Sequence, residues 1–213
     1  MNTLLSTSNL ILFFSLPFKP AGTNNLFFNG HTALALGDTV YHIVNPSLLR
    51  TDFLFSVMPV ASWLYGPPGS WVDRNPASPS YTHVYLYRKC ESTRTVVYAA
   101  GMKVEPELTK NIRDRFTAEN DLFRTGARKY NLFTENCSSV IADALVESGL
   151  LSKSILNNIP SILFRRFVQL RSRDVQVKSI DRLDHRRFTL HRICYGLWSF
   201  NPRRAMDRWI ASL

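Results

Sequence analysis

Short apolar segments separated by turn-forming residues dominate the first hundred positions of the chain. Runs of four to eight apolar residues that are rich in β-branched and aromatic side chains are typical of strands. The pattern predicts strands at 9–18, 26–36, 39–44, 81–88 and 95–100. We interpret the first of these as a buried strand in preference to a secretory signal, because no Lys or Arg precedes it.

A β-hairpin is predicted where Gly37 and Asp38 separate two of these runs, with a type II′ turn. If the turn has two residues, Ala33 lies opposite His42. Because side chains alternate between the two faces of a strand, His31 and His42 then share one face and lie diagonally within reach. A three-residue loop would place the two imidazoles on opposite faces, so the turn length decides whether they meet.

Helical periodicity appears later in the chain. The segment 105–125 repeats apolar residues every four positions, and 137–148 begins after Asn136, a natural N-cap, and ends before Gly149, a natural stop. The face expected to be buried in the second helix consists of Val140, Ile141, Ala144 and Leu145. After residue 160 the chain continues as arginine-rich amphipathic pieces, the last with a stripe at Met206, Trp209, Ile210 and Leu213.

Strands followed by helices predict an α+β fold, which we divide into a domain at 1–160 and a basic amphipathic extension at 161–213. The 213 residues carry a net charge of +10, and 161–213 alone has 12 Lys and Arg against four Asp and Glu. Aromatic residues at 12% exclude wholesale disorder, and no apolar run is long enough for an ordinary membrane-spanning helix. The basic extension would suit an anionic membrane surface, with Phe164, Phe167 and Trp209 dipping in and arginines on the headgroups, or else an acidic protein or nucleic acid.

Three widely spaced cysteines, Cys90, Cys137 and Cys194, form neither a disulfide framework nor a zinc site by themselves, which favours a reducing compartment. Cys137 falls in the first turn of a predicted helix, where the helix dipole and unpaired N–H groups stabilise a thiolate. Such a cysteine is a candidate nucleophile, although a small buried apolar residue is the simpler alternative. We expect no metal and no cofactor.

An imidazole is needed to take the thiol proton. His31 is the candidate base, and His42 would orient it or stabilise its charge, as the third member of a triad does. His83, in another predicted strand, and Asp52 are alternatives to His42. Both histidines of the hairpin could also be ordinary strand residues.

Two segments resemble boxes of a known family. Gly30-His-Thr-Ala-Leu-Ala-Leu-Gly-Asp-Thr-Val-Tyr-His-Ile43 resembles the histidine box of lecithin:retinol acyltransferase-like proteins, and Thr134-Glu-Asn-Cys-Ser-Ser139 resembles their Asn-Cys box. These proteins belong to the circularly permuted, papain-like thiol enzymes of the NlpC type. The resemblance implies an antiparallel sheet packed against the helix that bears the cysteine, with Cys137 as nucleophile, His31 as base and His42 as its partner.

The relatives usually have an aromatic residue where this chain has Thr32, and a turn that is one residue longer. A more distant similarity is to bacterial membrane-associated proteins with a Tyr-x-x-x-x-x-Asn-Cys signature, proposed to move acyl chains between lipids and lipoproteins. Tyr130 and Asn136 fit that pattern and are the candidate substrate-binding residues.

These observations favour a cysteine-dependent acyl transfer or hydrolysis through a thioester, on a lipid acyl or related ester or amide. We expect the acyl-bearing substrate, such as a phospholipid, as partner, with residues 161–213 on an anionic membrane. The expected location is the cytoplasm, peripheral at a membrane, with secretion less favoured. The alternatives are a peptidase or amidase of the same fold and a non-catalytic protein that binds nucleic acid or an acidic partner through the basic extension, with nucleic acid the less favoured partner.

Overall fold

A computed structural model describes residues 2–15, 30–43, 54–65, 96–131, 134–181 and 202–212. Over these residues the protein has an α+β fold built on a six-stranded antiparallel sheet. This confirms the predicted fold class. The predicted strand at 81–88 lies outside the described residues, as do parts of the predicted strands at 9–18 and 26–36.

The strands do not follow one another across the sheet in chain order. They are β1 (Leu10–Ser15), β2 (His31–Leu36), β3 (Thr39–Ile43), β4 (Phe55–Pro59), β5 (Val96–Met102) and β6 (Gln176–Asp181). Their order is β4-β3-β2-β1-β5-β6, so the first strand lies in the middle. All six residues of β1 are buried, as expected of a uniformly apolar strand that is covered on both faces.

Helices cover both faces of this sheet. They are α1 (Asn2–Thr7), α2 (Val60–Tyr65), α3 (Pro106–Arg124), α4 (Cys137–Glu147), α5 (Pro160–Leu170) and α6 (Pro202–Ala211), with a 3-10 turn at Ile155–Asn158. The predicted helix at 105–125 is therefore confirmed as α3, with Ile112 and Phe116 buried. Among the described residues, no helix combines the length and the apolar character needed to cross a bilayer.

The two faces bury different cores. On one face, side chains such as Leu12, Phe14 and Leu34 pack against α4, α5 and buried residues of α3 and α6. On the other face, a smaller cluster that includes Phe13 and Ala33 packs against Leu4 of α1 and against α2, including Trp63. Alternation along each strand sends neighbouring residues to opposite cores.

The hairpin has the predicted two-residue turn. Leu36 pairs with Thr39 and Ala33 pairs with His42, which confirms the register on which the shared face of the histidines depends. Gly37 has φ of 65°, a conformation that the primed hairpin turns require at this position and that glycine adopts without steric cost.

The described parts of the basic C-terminal segment, 161–181 and 202–212, belong to the same sheet and core. Strand β6 pairs along β5, and α5 inserts Phe164 and Phe167, both fully buried, between the sheet and its other helices. The stripe predicted on the last helix packs inward, with Met206 buried and Trp209 and Ile210 against the larger core. Phe164 and Phe167 are thus core residues and do not face a membrane, which corrects the role that their amphipathic segment suggests.

Candidate functional site

Cys137 is the first residue of α4, and the helix start is closed by a capping box. The Asn136 side-chain oxygen accepts hydrogen bonds from the backbone N–H groups of Ser138 (2.8 Å) and Ser139 (3.2 Å). In return, the Asn136 backbone N–H donates to the Ser139 hydroxyl at 2.8 Å. The predicted N-cap is confirmed, and so is the stop, because Gly149 has φ of 67° just beyond the helix.

The loop that leads into this cap is held by a buried ionic cluster. The Glu119 side chain of α3 is fully buried and pairs with Arg128 at 2.5 Å and with Arg115 at 2.7 Å. Arg128 also pairs with Glu135, next to the cap, and lies 3.4 Å from Asp143 of α4. A buried carboxylate requires such compensation. The cluster therefore ties α3, the loop and α4 into one unit that sets where Cys137 lies.

Thr32 joins the sheet to the start of α4. Its hydroxyl donates to the Cys137 carbonyl oxygen at 3.2 Å and lies 3.2 Å from the Ser138 hydroxyl. Thr32 is fully buried, and it occupies the position where the resembled family usually has an aromatic residue. The Thr32 side chain thus holds the start of α4 against β2, one residue beyond His31.

The environment of the Cys137 thiol opposes its ionisation. Burial raises the pKa of the thiol, and the backbone N–H and hydroxyl of Thr32, together with the Ser138 hydroxyl, only partly offset this effect. The Cys137 sulfur lies 3.9 Å from the Ser138 hydroxyl oxygen. Burial therefore works against the stabilisation that a helix start offers to a thiolate, and a base is needed to form one, as expected from the sequence.

The two histidines of the hairpin are in direct contact. His31 Nε2 lies 2.8 Å from His42 Nδ1, and the rings meet edge to face at 4.3 Å between centroids. Trp63 of α2 adds a third member, because its indole N–H donates to His42 Nδ1 at 3.1 Å. His42 and Trp63 are buried, whereas His31 is half-buried.

The cysteine and the histidine pair approach β2 from its two faces. Thr32 belongs to the face on which α4 packs, and the register assigns His31 and His42 to the face of Ala33 and Trp63. Both groups converge on the first two residues of β2, where the strand begins. An encounter between the thiol and His31 therefore has to take place around this end of the strand.

The candidate substrate-binding residues have different surroundings. Tyr130 is partly buried against the larger core, and its pKa is raised by burial and by the negative charge of an ionised Cys137. The Asn136 side chain caps α4 with its oxygen and donates to the Asn158 carbonyl oxygen with its nitrogen at 3.2 Å. Its observed contacts thus position the cysteine, and its binding of substrate stays a prediction.

Sequence reasoning missed Trp63 and Ser15. Trp63 lies in a segment without clean periodicity, so its helix could not be predicted. Ser15 pairs with His31 across β1 and β2, and its hydroxyl is buried without a hydrogen-bond partner among the described atoms. Only the strand register, which the sequence does not give for β1, reveals this neighbour.

The remaining candidates, His83, Asp52, Cys90 and Cys194, lie outside the described residues. Comparisons of the chain with protein-family models, with curated proteins and with solved structures find no match.

Proposed function

We propose that this protein is a thiol acyltransferase or hydrolase in which Cys137 is the nucleophile, His31 the general base and His42 its orienting partner. The observation that supports the proposal is the pair of Thr32 contacts with Cys137 and Ser138, which ties the helix start to the strand residue next to His31, itself in contact with His42. The chain order of the three residues and a cysteine-bearing helix packed on an antiparallel sheet support a permuted papain-like arrangement.

The reaction begins with transfer of the Cys137 proton to His31. The thiolate then attacks the carbonyl carbon of an ester or amide, and a carbon–sulfur bond forms as the carbonyl becomes an oxyanion. The leaving alcohol or amine departs with the proton from His31. Water or an acceptor nucleophile attacks the resulting thioester, gives its proton to His31, and releases the acyl product and the Cys137 thiol.

A raised thiol pKa is compatible with this sequence of steps. The burial that raises the pKa of the Cys137 thiol favours its neutral form before substrate binds, so ionisation is coupled to the arrival of the carbonyl. The Cys137 backbone N–H lies at the helix start, where the dipole favours the developing oxyanion. The backbone N–H of Thr32 is a further donor near the reacting sulfur.

A lipid acyl group is the substrate that we favour, because the C-terminal segment offers cationic side chains to anionic headgroups. Arg173 and Arg208 are exposed, and Arg165 stacks on Trp209 with its guanidinium carbon 5.4 Å from the ring centroid. Since the phenylalanines of α5 are buried, this contact with a membrane would be electrostatic.

The test of the chemistry is intact-mass spectrometry of the full chain after incubation with a short-chain phospholipid or a nitrophenyl ester. In the C90A/C194A variant, Cys137 is the sole cysteine, and we expect the mass of one acyl group. Adding Cys137→Ala to that background should abolish the adduct while the circular dichroism spectrum is unchanged. Acylation that persists in the triple variant, or none in the double variant, contradicts the proposal.

The fate of the thioester separates the two reaction classes. Decay in water alone indicates a hydrolase, and decay that requires an added alcohol or amine indicates a transferase. A peptidase or amidase would instead acylate from a peptide amide and ignore the phospholipid.

The membrane contact needs a variant that leaves the fold intact, because removing 161–213 would delete β6 and the buried face of α5. Arg173→Gln with Arg208→Gln changes only exposed charges. We expect weaker cosedimentation with vesicles that contain phosphatidylserine and no change with neutral vesicles. Equal binding by both proteins, or competition only by RNA, contradicts the membrane assignment.

A further inference from the structure

Trp63 has a polar contact that the proposed reaction does not use. The ring is 1% exposed in α2, yet its indole nitrogen is directed at His42 Nδ1, 3.1 Å away. His42 is 4% exposed, and the same Nδ1 lies 2.8 Å from His31 Nε2. A single imidazole nitrogen therefore faces two nitrogen neighbours inside the protein.

Hydrogen-bond chemistry fixes the protons in this cluster. An indole N–H only donates, so His42 Nδ1 has to accept. A proton on His42 Nδ1 would face the indole hydrogen directly at this distance. His42 is therefore neutral with its proton on Nε2, and His31 Nε2 has to donate to the same lone pair. Neutral His31 then carries its own lone pair on Nδ1.

We propose that Trp63 is a positioning residue that sets the tautomers of the His31–His42 pair, so that His31 presents Nδ1 as the base. The tautomer assignment stands on the two hydrogen bonds alone, and its catalytic consequence rests on the proposed function. In this arrangement only one of the two imidazoles carries the lone pair that accepts the thiol proton.

The His31–His42 hydrogen bond also stabilises the positive charge that forms on His31 during the reaction. When His31 takes a proton on Nδ1, its Nε2–H becomes a charge-assisted donor to His42 Nδ1, which strengthens that bond. No second proton has to move, because the Trp63 hydrogen bond keeps His42 an acceptor. A neutral imidazole thus does what a carboxylate does in other triads, without placing a negative charge among apolar side chains.

Packing is the competing explanation for Trp63, because the ring also contacts Phe13 at 4.8 Å between centroids. Two substitutions distinguish the hydrogen-bonding role of Trp63 from its packing role. Trp63→Phe removes the N–H and keeps an aromatic ring, whereas Phe13→Leu trims the same cluster and leaves the N–H in place.

The test is long-range proton–nitrogen NMR of the imidazoles in the full-length nitrogen-15-labelled protein, assigned with His31→Gln and His42→Gln. We expect both histidines of the wild type as the Nε2–H tautomer, and we expect Phe13→Leu to keep that pattern. Trp63→Phe should shift the nitrogen resonances of His42 towards a mixture of tautomers. A wild-type His42 protonated on Nδ1, or a Trp63→Phe spectrum identical to that of the wild type, overturns the proposal.

Acylation gives a second, separate measurement. If Cys137 is acylated, Trp63→Phe should slow that step roughly 10- to 100-fold, by analogy with the loss of a hydrogen-bond partner that orients a metal-binding histidine. Phe13→Leu should slow it less than threefold or so, as a change in packing would. Tautomers that shift as expected in a protein that is never acylated would overturn the proposed function and support the proton assignment.

Discussion

The two faces of the sheet are built by different means. The larger face packs α4 and α5 through many aliphatic and aromatic contacts, and the helix start with Cys137 is fixed there by its cap and by the Arg128–Glu119 pair. The smaller face is covered by two short helices and holds the hydrogen-bonded His31–His42–Trp63 cluster. A helix terminus thus positions the candidate nucleophile, and strand register positions the candidate base. Both meet at β2, where Thr32 contacts Cys137 and the preceding residue is His31.

The two faces should therefore respond differently to substitution. Large apolar burial on one face tolerates small changes in packing, whereas the imidazole cluster depends on one register and two hydrogen bonds. Apart from Cys137 and its cap, changes to the larger face should alter mainly stability, and changes to the histidine cluster of the smaller face should alter mainly chemistry.

The largest effect on stability is expected at the ionic cluster of the larger face. Arg128→Met should lower the free energy of unfolding by about 3 kcal/mol, because Glu119 loses one of its two cations while it stays buried. The measurement is urea unfolding followed by circular dichroism. Arg124→Met is the matched control, since Arg124 forms an exposed pair with Asp121 and should cost no more than about 0.5 kcal/mol. Equal costs for the two variants would contradict the role given to Arg128.

The hairpin of the smaller face offers a backbone test. Gly37→Val should destabilise the protein by about 1–2 kcal/mol, because a β-branched residue is strained at φ of 65°. Space is not the cause, since a Cβ at Gly37 meets no atom within 4 Å. Gly37→Asn keeps a residue that tolerates this conformation and should cost clearly less in the same unfolding measurement. A valine variant as stable as the wild type would argue against the primed turn.

The N-cap connects stability with the cysteine. Asn136→Ala should cost about 1 kcal/mol, because two backbone N–H groups at the start of α4 lose their acceptor. Asn136→Asp retains an acceptor oxygen and should recover most of that loss. We also expect slower acylation of Cys137 in the alanine variant than in the aspartate variant, as measured by intact mass. Identical stabilities of the two variants would remove the capping role.

The smallest effect concerns pH. The folded-state pKa of Cys137 is raised above its ordinary value of 9.0, so the unfolded chain releases this proton first as pH rises. Below that value, Cys137 makes no pH-dependent contribution to stability; above it, stability should fall until the folded thiol also ionises. Urea unfolding of the C90A/C194A variant with and without Cys137→Ala isolates this contribution. A difference that grows as the pH is lowered from neutral would have the wrong sign.

Local signals predicted much of the site, because caps and turns depend on neighbouring residues. Helix α4 begins after the side-chain cap of Asn136 and ends before Gly149, whose positive φ stops it. The two-residue turn at Gly37 and Asp38 sets the strand register that brings the two histidines together. Thr32 shows the limit of such inference. Its position was visible in the histidine box, but its contact with Cys137 spans 105 positions and follows only from tertiary packing.

Elements whose stability comes from distant partners were not predicted. Helix α2 is too short to show a clean period, and β4 contributes Phe55 to one core and Met58 to the other, so Trp63 was missed. Strand β6 is polar along much of its length and is held by pairing with β5. In the ionic cluster at Glu119, the i,i+4 spacing relates Arg115 to Glu119, but the contacts of Arg128 with Glu119 and Asp143 follow only from tertiary packing.

In the proposed reaction His31 takes the proton of Cys137, although the two residues lie on opposite faces of β2. The most direct test is the rate of Cys137 acylation, followed by intact mass in the C90A/C194A background, with and without His31→Gln. We expect the substitution to slow acylation at least 100-fold or so, the contribution of a general base, with the fold retained by circular dichroism. Equal rates in the two proteins would show that the imidazole does not act on the thiol and would contradict the proposed role of His31 as the general base.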